Sequence, residues 1–205
     1  MAARGRCMCR SVQLVLALAA IPSFAAEMTA GEAGAPPGQF LAHPLFSSSY
    51  SCSEHAWGEL PYPGDDLGQD CVQQEFVDEG GRAFMKSYRT DGLANEDWYG
   101  WNQPVLSPCD CTVIRVSLNA VDNVPGVLGS PPASMLLLEA EDGTKVLLAH
   151  VRSPAVQEGQ AVKAGEAIAR VGNNGYSRNP HIHIGAWRGQ QALQIRWDQR
   201  HIPVL

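Results

Sequence analysis

Two histidines one residue apart, His181 and His183, stand in the short apolar run His181-Ile182-His183-Ile184. In a strand the side-chain period is two, so both imidazoles leave one face while Ile182 and Ile184 leave the other. Two imidazoles held side by side on a stiff backbone can ligate a metal, or one can ligate while the other moves a proton. A third, His150, ends the apolar run Val146-Leu147-Leu148-Ala149-His150. A single strand histidine is more often an ordinary hydrogen-bonded residue. Three at strand ends, two of them on one face, point to a site. The stretch Gly172-Asn173-Asn174-Gly175-Tyr176-Ser177-Arg178-Asn179-Pro180, just before His181, is turn chemistry and reads as a loop.

The elements that must position these groups read as strands. Thr112 to Leu118 alternates and is rich in β-branched residues. Ser134 to Ala140, the turn Glu141-Asp142-Gly143 and Thr144 to Val151 read as a β-hairpin. From Val156 to Val171 glycines and apolar residues recur every third position, which suggests sharp turns between short strands. No segment shows sustained helical periodicity, so the domain is expected to be all-β.

The amino terminus reads as a removable export signal: Arg4, Arg6 and Arg10, an apolar run from Val12 to Ile21, and small residues around Ala25. The apolar run is shorter than the roughly 20 residues of a membrane-spanning helix, so no retained membrane anchor is expected. The expected organisation is a signal peptide over 1–26, an Ala/Gly/Pro/Ser-rich linker or loose arm over 27–48, an irregular extension over 49–82 and the β domain over 83–205. The protein is then exported, either periplasmic or secreted. With a net charge of −6 over 205 residues, nothing electrostatic calls for nucleic acid as partner.

Cys7 and Cys9 would leave with the signal. Cys52, Cys71, Cys109 and Cys111 remain, and an even count in an exported chain favours disulfides. The local solution pairs Cys52 with Cys71 and Cys109 with Cys111. A thiolate metal site is the competing reading, but Cys-x-Cys is not the common zinc spacing.

Taken in order, Leu148-Ala149-His150-Val151, the glycine-punctuated 156–171 segment, Gly172-Asn173-Asn174-Gly175 and Pro180-His181-Ile182-His183-Ile184 resemble the lysostaphin-type (LytM) zinc endopeptidase domain. Gln103-Pro104-Val105 to Val113 resembles its upstream segment, so the likeness covers residues 97 to 187. The glycine repeat alone also occurs in biotinyl and lipoyl carriers, but Lys163 lacks the exposed hairpin such carriers need. The resemblance implies an antiparallel sheet of the lysostaphin/LytM type, a duplicated hybrid motif, and one zinc. It implies His183 as a ligand, with His150 and His181 steadying the attacking water and the developing oxyanion. It also implies action on the cross-bridge or stem peptides of bacterial cell walls.

One departure stands out. Counting back from Val105 places the family's aspartate ligand on Asp97 and its first histidine ligand on Leu93, which cannot coordinate zinc. Asp91 is a substitute oxygen donor, and His55 is a remoter candidate that would have to fold back onto the sheet. For Asp91 and Asp97 the alternative is loop capping. With this ligand set, zinc binding is expected to be weak or lost. Two functions follow: a zinc endopeptidase cutting peptidoglycan peptides, or a non-catalytic module that binds peptidoglycan peptide or glycan, or regulates a cell-wall hydrolase such as an amidase. Trp98, Tyr99, Trp101 and Tyr176 are expected to line the groove in either case.

Overall fold

The computed structural model describes residues 36–203. The expected export signal over 1–26, and the part of the expected linker before residue 36, lie outside the described residues. Fourteen strands and one short 3-10 turn, Asn95–Asp97, form the structure, and there is no α-helix among the described residues. In chain order the strands are β1 (Gln39–Ala42), β2 (Tyr50–Glu54), β3 (Gln69–Gln73), β4 (Glu75–Glu79), β5 (Arg82–Lys86), β6 (Pro104–Leu106) and β7 (Cys111–Ser117). They continue with β8 (Met135–Ala140), β9 (Lys145–Ala149), β10 (Val151–Arg152), β11 (Ala161–Val162), β12 (Ala167–Val171), β13 (Ile182–Arg188) and β14 (Gln191–Trp197).

A nine-stranded sheet runs β1-β14-β13-β9-β8-β7-β11, with β3 added to the free half of β13 and β2 added to β3. Only β1 with β14 is parallel in this sheet. A three-stranded sheet, β10-β12-β6, and the hairpin β4-β5 complete the structure. The alternation read in the sequence decides which face is buried. Leu136 and Leu138 on β8, Val146 and Leu148 on β9, and Ile182 and Ile184 on β13 are fully buried together. Each such side chain contributes on the order of 1.5–3 kcal/mol of transfer free energy. Burying Ile182 and Ile184 turns His183 to the opposite face of the same strand.

Two expected segments differ. Residues 36–48 are not a loose arm where described: β1 pairs with β14, and Leu45 and Phe46 are fully buried. Residues 49–82 are not an irregular extension, because β2 and β3 belong to the main sheet and the 82/83 boundary falls inside β5. The polar sequence of β2, Tyr-Ser-Cys-Ser-Glu, carries no hydrophobic alternation. Its strand state comes from backbone pairing to β3 and the Cys52–Cys71 disulfide, not from side-chain burial. Cys109 is joined to Cys111.

Candidate metal centre

The site is built on β13 and its neighbour β3. Register places His183 directly opposite Asp70, and Asp70 directly opposite Ser53 of β2. One residue beyond the end of β2, on the same face as Ser53, stands His55, whose N–H continues the ladder to the Gly68 carbonyl at 2.8 Å. Three donors therefore meet. His183 Nδ1 lies 2.9 Å from Asp70 Oδ1, and His55 Nε2 lies 3.4 Å from Asp70 Oδ2. One ligand atom from each of His55, Asp70 and His183 lies within 4.8 Å of the others.

The remaining nitrogens of the two rings are tied from behind by the turn after Tyr62. His183 Nε2 donates to the Gly64 carbonyl at 2.9 Å, with Asp65 Oδ1 at 3.5 Å. His55 Nδ1 donates to the Asp65 carbonyl at 2.8 Å. A carbonyl can only accept, so it fixes which nitrogen carries the hydrogen and leaves Nδ1 of His183 and Nε2 of His55 facing Asp70. Two glycines let the turn lie this close. A Cβ at Gly185 would collide with the Gly64 carbonyl oxygen, and one at Gly68 would sit 2.8 Å from Cε1 of His183.

The other two histidines join from the junction of β9 and β10 (His150) and from the residue just ahead of β13 (His181). His150 Nδ1 donates to the Asn174 carbonyl at 2.7 Å, and His181 Nδ1 to the Asn179 carbonyl at 2.8 Å. His181 Nε2 is 3.6 Å from Asp70 Oδ1. The ring centroids of His150 lie 4.6 Å from His181 and 6.4 Å from His183. The loop is locked in turn: the Asn174 side chain donates to the Val151 carbonyl and accepts from the Ser134 N–H.

The electrostatics follow from this packing. Burial, with the neighbouring His181 second, pushes His150 down to about 3, so it stays neutral. Burial opposes the ionisation of Asp70, but hydrogen bonds from His181 and His183 outweigh it and hold the carboxyl below its ordinary range. Burial likewise opposes charge on His183, yet its bonds to Asp70 and the Gly64 carbonyl raise its pKa overall. Two imidazole nitrogens and one carboxylate oxygen suit zinc and leave a fourth coordination position open.

The positions expected for the first two ligands, 93 and 97, are not brought to this cluster. Leu93 is exposed, and Asp97 caps its own loop by accepting the N–H groups of Thr90 and Gly92. Asp91 accepts the Leu93 N–H at 3.0 Å and does not join the cluster. The aromatics expected to line a groove have local duties. Trp98 Nε1 donates to the Gly92 carbonyl, while the Arg89 and Arg152 guanidinium groups cover Tyr99 and Trp101 at 4.5 and 4.3 Å. Tyr176 is 66% exposed, and so are Trp57 and Tyr62, at 58% and 68%, in the loop that follows His55. Gly64 and Asp65 were not singled out as site residues in the sequence. A signal for Asp70 did exist: His55 and Asp70 both lie inside the span closed by Cys52 and Cys71, so that pairing brings them together.

The chain carries a peptidase M23 domain. Residues 99–195 match the family model described as "Peptidase family M23". The match starts after Asp70, so the half of the cluster formed by His55 and Asp70 lies outside it. An uncharacterized metalloprotease of Haemophilus influenzae is 35% identical over 80 residues, covering 39% of this chain and 15% of that protein. This chain thus spans only a small part of that curated relative's length. Among solved structures, the catalytic domain of the prophage-encoded M23 protein EnpA from Enterococcus faecalis is similar at 18% identity and TM-score 0.46, covering 74% of this chain and 92% of that one. The catalytic domain of the antimicrobial peptidase lysostaphin from Staphylococcus simulans is similar at 16% identity and TM-score 0.43, over 73% and 93% of the two chains.

Proposed function

We propose that this protein is an exported zinc endopeptidase that cuts the peptide part of bacterial peptidoglycan. The observation that carries the reading is the complete donor set: His55, Asp70 and His183 converge, and His150 and His181 flank them. The non-catalytic alternative requires a missing first ligand, and in this reading His55 supplies it. The M23 domain supports the choice of a wall peptide as substrate. The basic and apolar amino-terminal segment supports export.

In this reading His55 Nε2, an Asp70 oxygen and His183 Nδ1 hold the zinc, which when bound supplies Lewis acidity toward water and a scissile carbonyl. His150 is neutral, and its Nδ1–H is committed to the Asn174 carbonyl. Its Nε2 therefore offers a lone pair that takes a proton from the attacking water and returns it to the leaving amine. His181 is fixed through Nδ1, so Nε2 is held toward the same space and in its protonated form donates to the developing oxyanion. Gly64 and Asp65 keep the two ligand rings from rotating.

The test is digestion of purified sacculi by zinc-loaded protein, with mass spectrometry of the released peptides. New amino termini that disappear in His150→Ala and His183→Ala support the reading. Intact peptides from a zinc-loaded wild type refute it.

A further inference from the structure

β2 is the edge of the main sheet and pairs with β3 alone. Its five residues, Tyr50-Ser51-Cys52-Ser53-Glu54, are half-buried or exposed throughout. A polar strand of this kind specifies its register weakly, and a slip of one residue sends every side chain to the opposite face. His55 follows that strand directly, and its approach to Asp70 at 3.4 Å requires the register Ser53 opposite Asp70. In that register Cys52 stands directly opposite Cys71, to which it is disulfide-bonded. Cys71 is fully buried and adjoins Asp70 in the chain; Cys52 lies three residues before His55. A covalent bond between opposite residues forbids the slip that would carry His55 off the site.

We infer that the Cys52–Cys71 disulfide is a positioning element of the metal centre, holding β2 in the one register that delivers His55 to Asp70 and His183. Neither cysteine is a member of the donor cluster, so both act through His55. The inference rests on the zinc reading above and adds a condition to it: full zinc affinity belongs to the oxidised protein. In a bridge-free protein His55 is no longer held in place, and affinity falls toward that of the Asp70/His183 pair.

The experiment measures zinc Kd by competition with a chromogenic chelator, using the full chain and checking by far-UV circular dichroism that each variant is folded. Cys52→Ala/Cys71→Ala removes the bond. Cys52→Val/Cys71→Val removes it but keeps a well-paired β-branched couple, in case the alanine pair folds poorly. Cys109→Ala/Cys111→Ala removes a bridge that bears on no ligand. The expected result is a rise in Kd of about 10–100-fold for both Cys52/Cys71 variants, the range typical when a group that orients a metal ligand is removed. The Cys109/Cys111 variant should bind like wild type. A double-mutant cycle adds a readout that general destabilisation would not move. If the bridge acts through His55, His55→Ala should weaken binding much less in the bridge-free background than in wild type. Unchanged affinity in the bridge-free variants, or full additivity with His55→Ala, overturns the inference while zinc binding by the wild type leaves the functional reading intact. Failure of the wild type itself to bind zinc overturns both.

Discussion

His55→Ala is the sharpest test of which residues make the centre. The side chain is 25% exposed and its ring is held only at the edge of the sheet, so truncating it should cost the apo fold little. Its effect on zinc should be large. Structural four-ligand zinc sites bind with about 10–16 kcal/mol at neutral pH, or roughly 2.5–4 kcal/mol for each ligand. At 1.4 kcal/mol per tenfold, losing one ligand corresponds to a rise in Kd of about 10²–10³. The same loss should show in melting. Zinc at a hundredfold excess over Kd stabilises the wild type by about 2.7 kcal/mol, and a domain of this size shifts by about 2–4 °C per kcal/mol. Zinc should therefore raise the wild-type Tm by about 5–11 °C and that of His55→Ala hardly at all at the same concentration. Calorimetric titration and melting with and without chelator give both numbers. Asp97→Ala is the counter-test, because Asp97 is occupied with the Thr90 and Gly92 N–H groups. Tight zinc binding by His55→Ala, or its loss in Asp97→Ala, would refute the assignment.

Two further outcomes are expected. In metal-free protein burial pushes His150 down to about 3, against about 6.5 in the unfolded chain, so the unfolded chain takes its proton first as pH falls. Its contribution is complete above pH 6.5 and is lost down to about pH 3, at up to about 1.4 kcal/mol per unit and about 5 kcal/mol in all. Denaturant melts across that window should show the slope, and His150→Asn should flatten it. Asp70 adds loss in the same direction, below the ordinary carboxylate range. The raised pKa of His183 works oppositely: its contribution is full below its unfolded value and fades as pH rises through its folded one. Gly68→Ala places a methyl group 2.8 Å from Cε1 of His183, so the ring or the turn must shift. Overpacking of this kind costs about 1–3 kcal/mol, and zinc affinity should fall with stability in the same melting and competition assays.

The half of the site at the end of β9, at the start of β13 and in the loop just before β13 was legible because its signals are local. His181 and His183 share a face by strand periodicity, and fully buried Ile182 and Ile184 fix which face that is. The other half is not local. His55 follows β2 and Asp70 lies on β3; β2 buries little, and although Gln69, Cys71 and Gln73 of β3 are buried, neither sequence alternates apolar with polar residues in a way that advertises a sheet. A search for an imidazole four residues before an aspartate within one segment settles on Leu93 and Asp97, because Asp97 is a well-formed capping aspartate with the right neighbours in sequence. What the linear pattern lacked was cross-strand proximity, and the chain states that proximity covalently. The Cys52–Cys71 bridge, between residues 19 apart in sequence, encloses His55, Gly64, Asp65, Gly68 and Asp70, every piece of the metal centre that precedes His150. A ligand that arrives from a weakly specified edge strand needs such a tie.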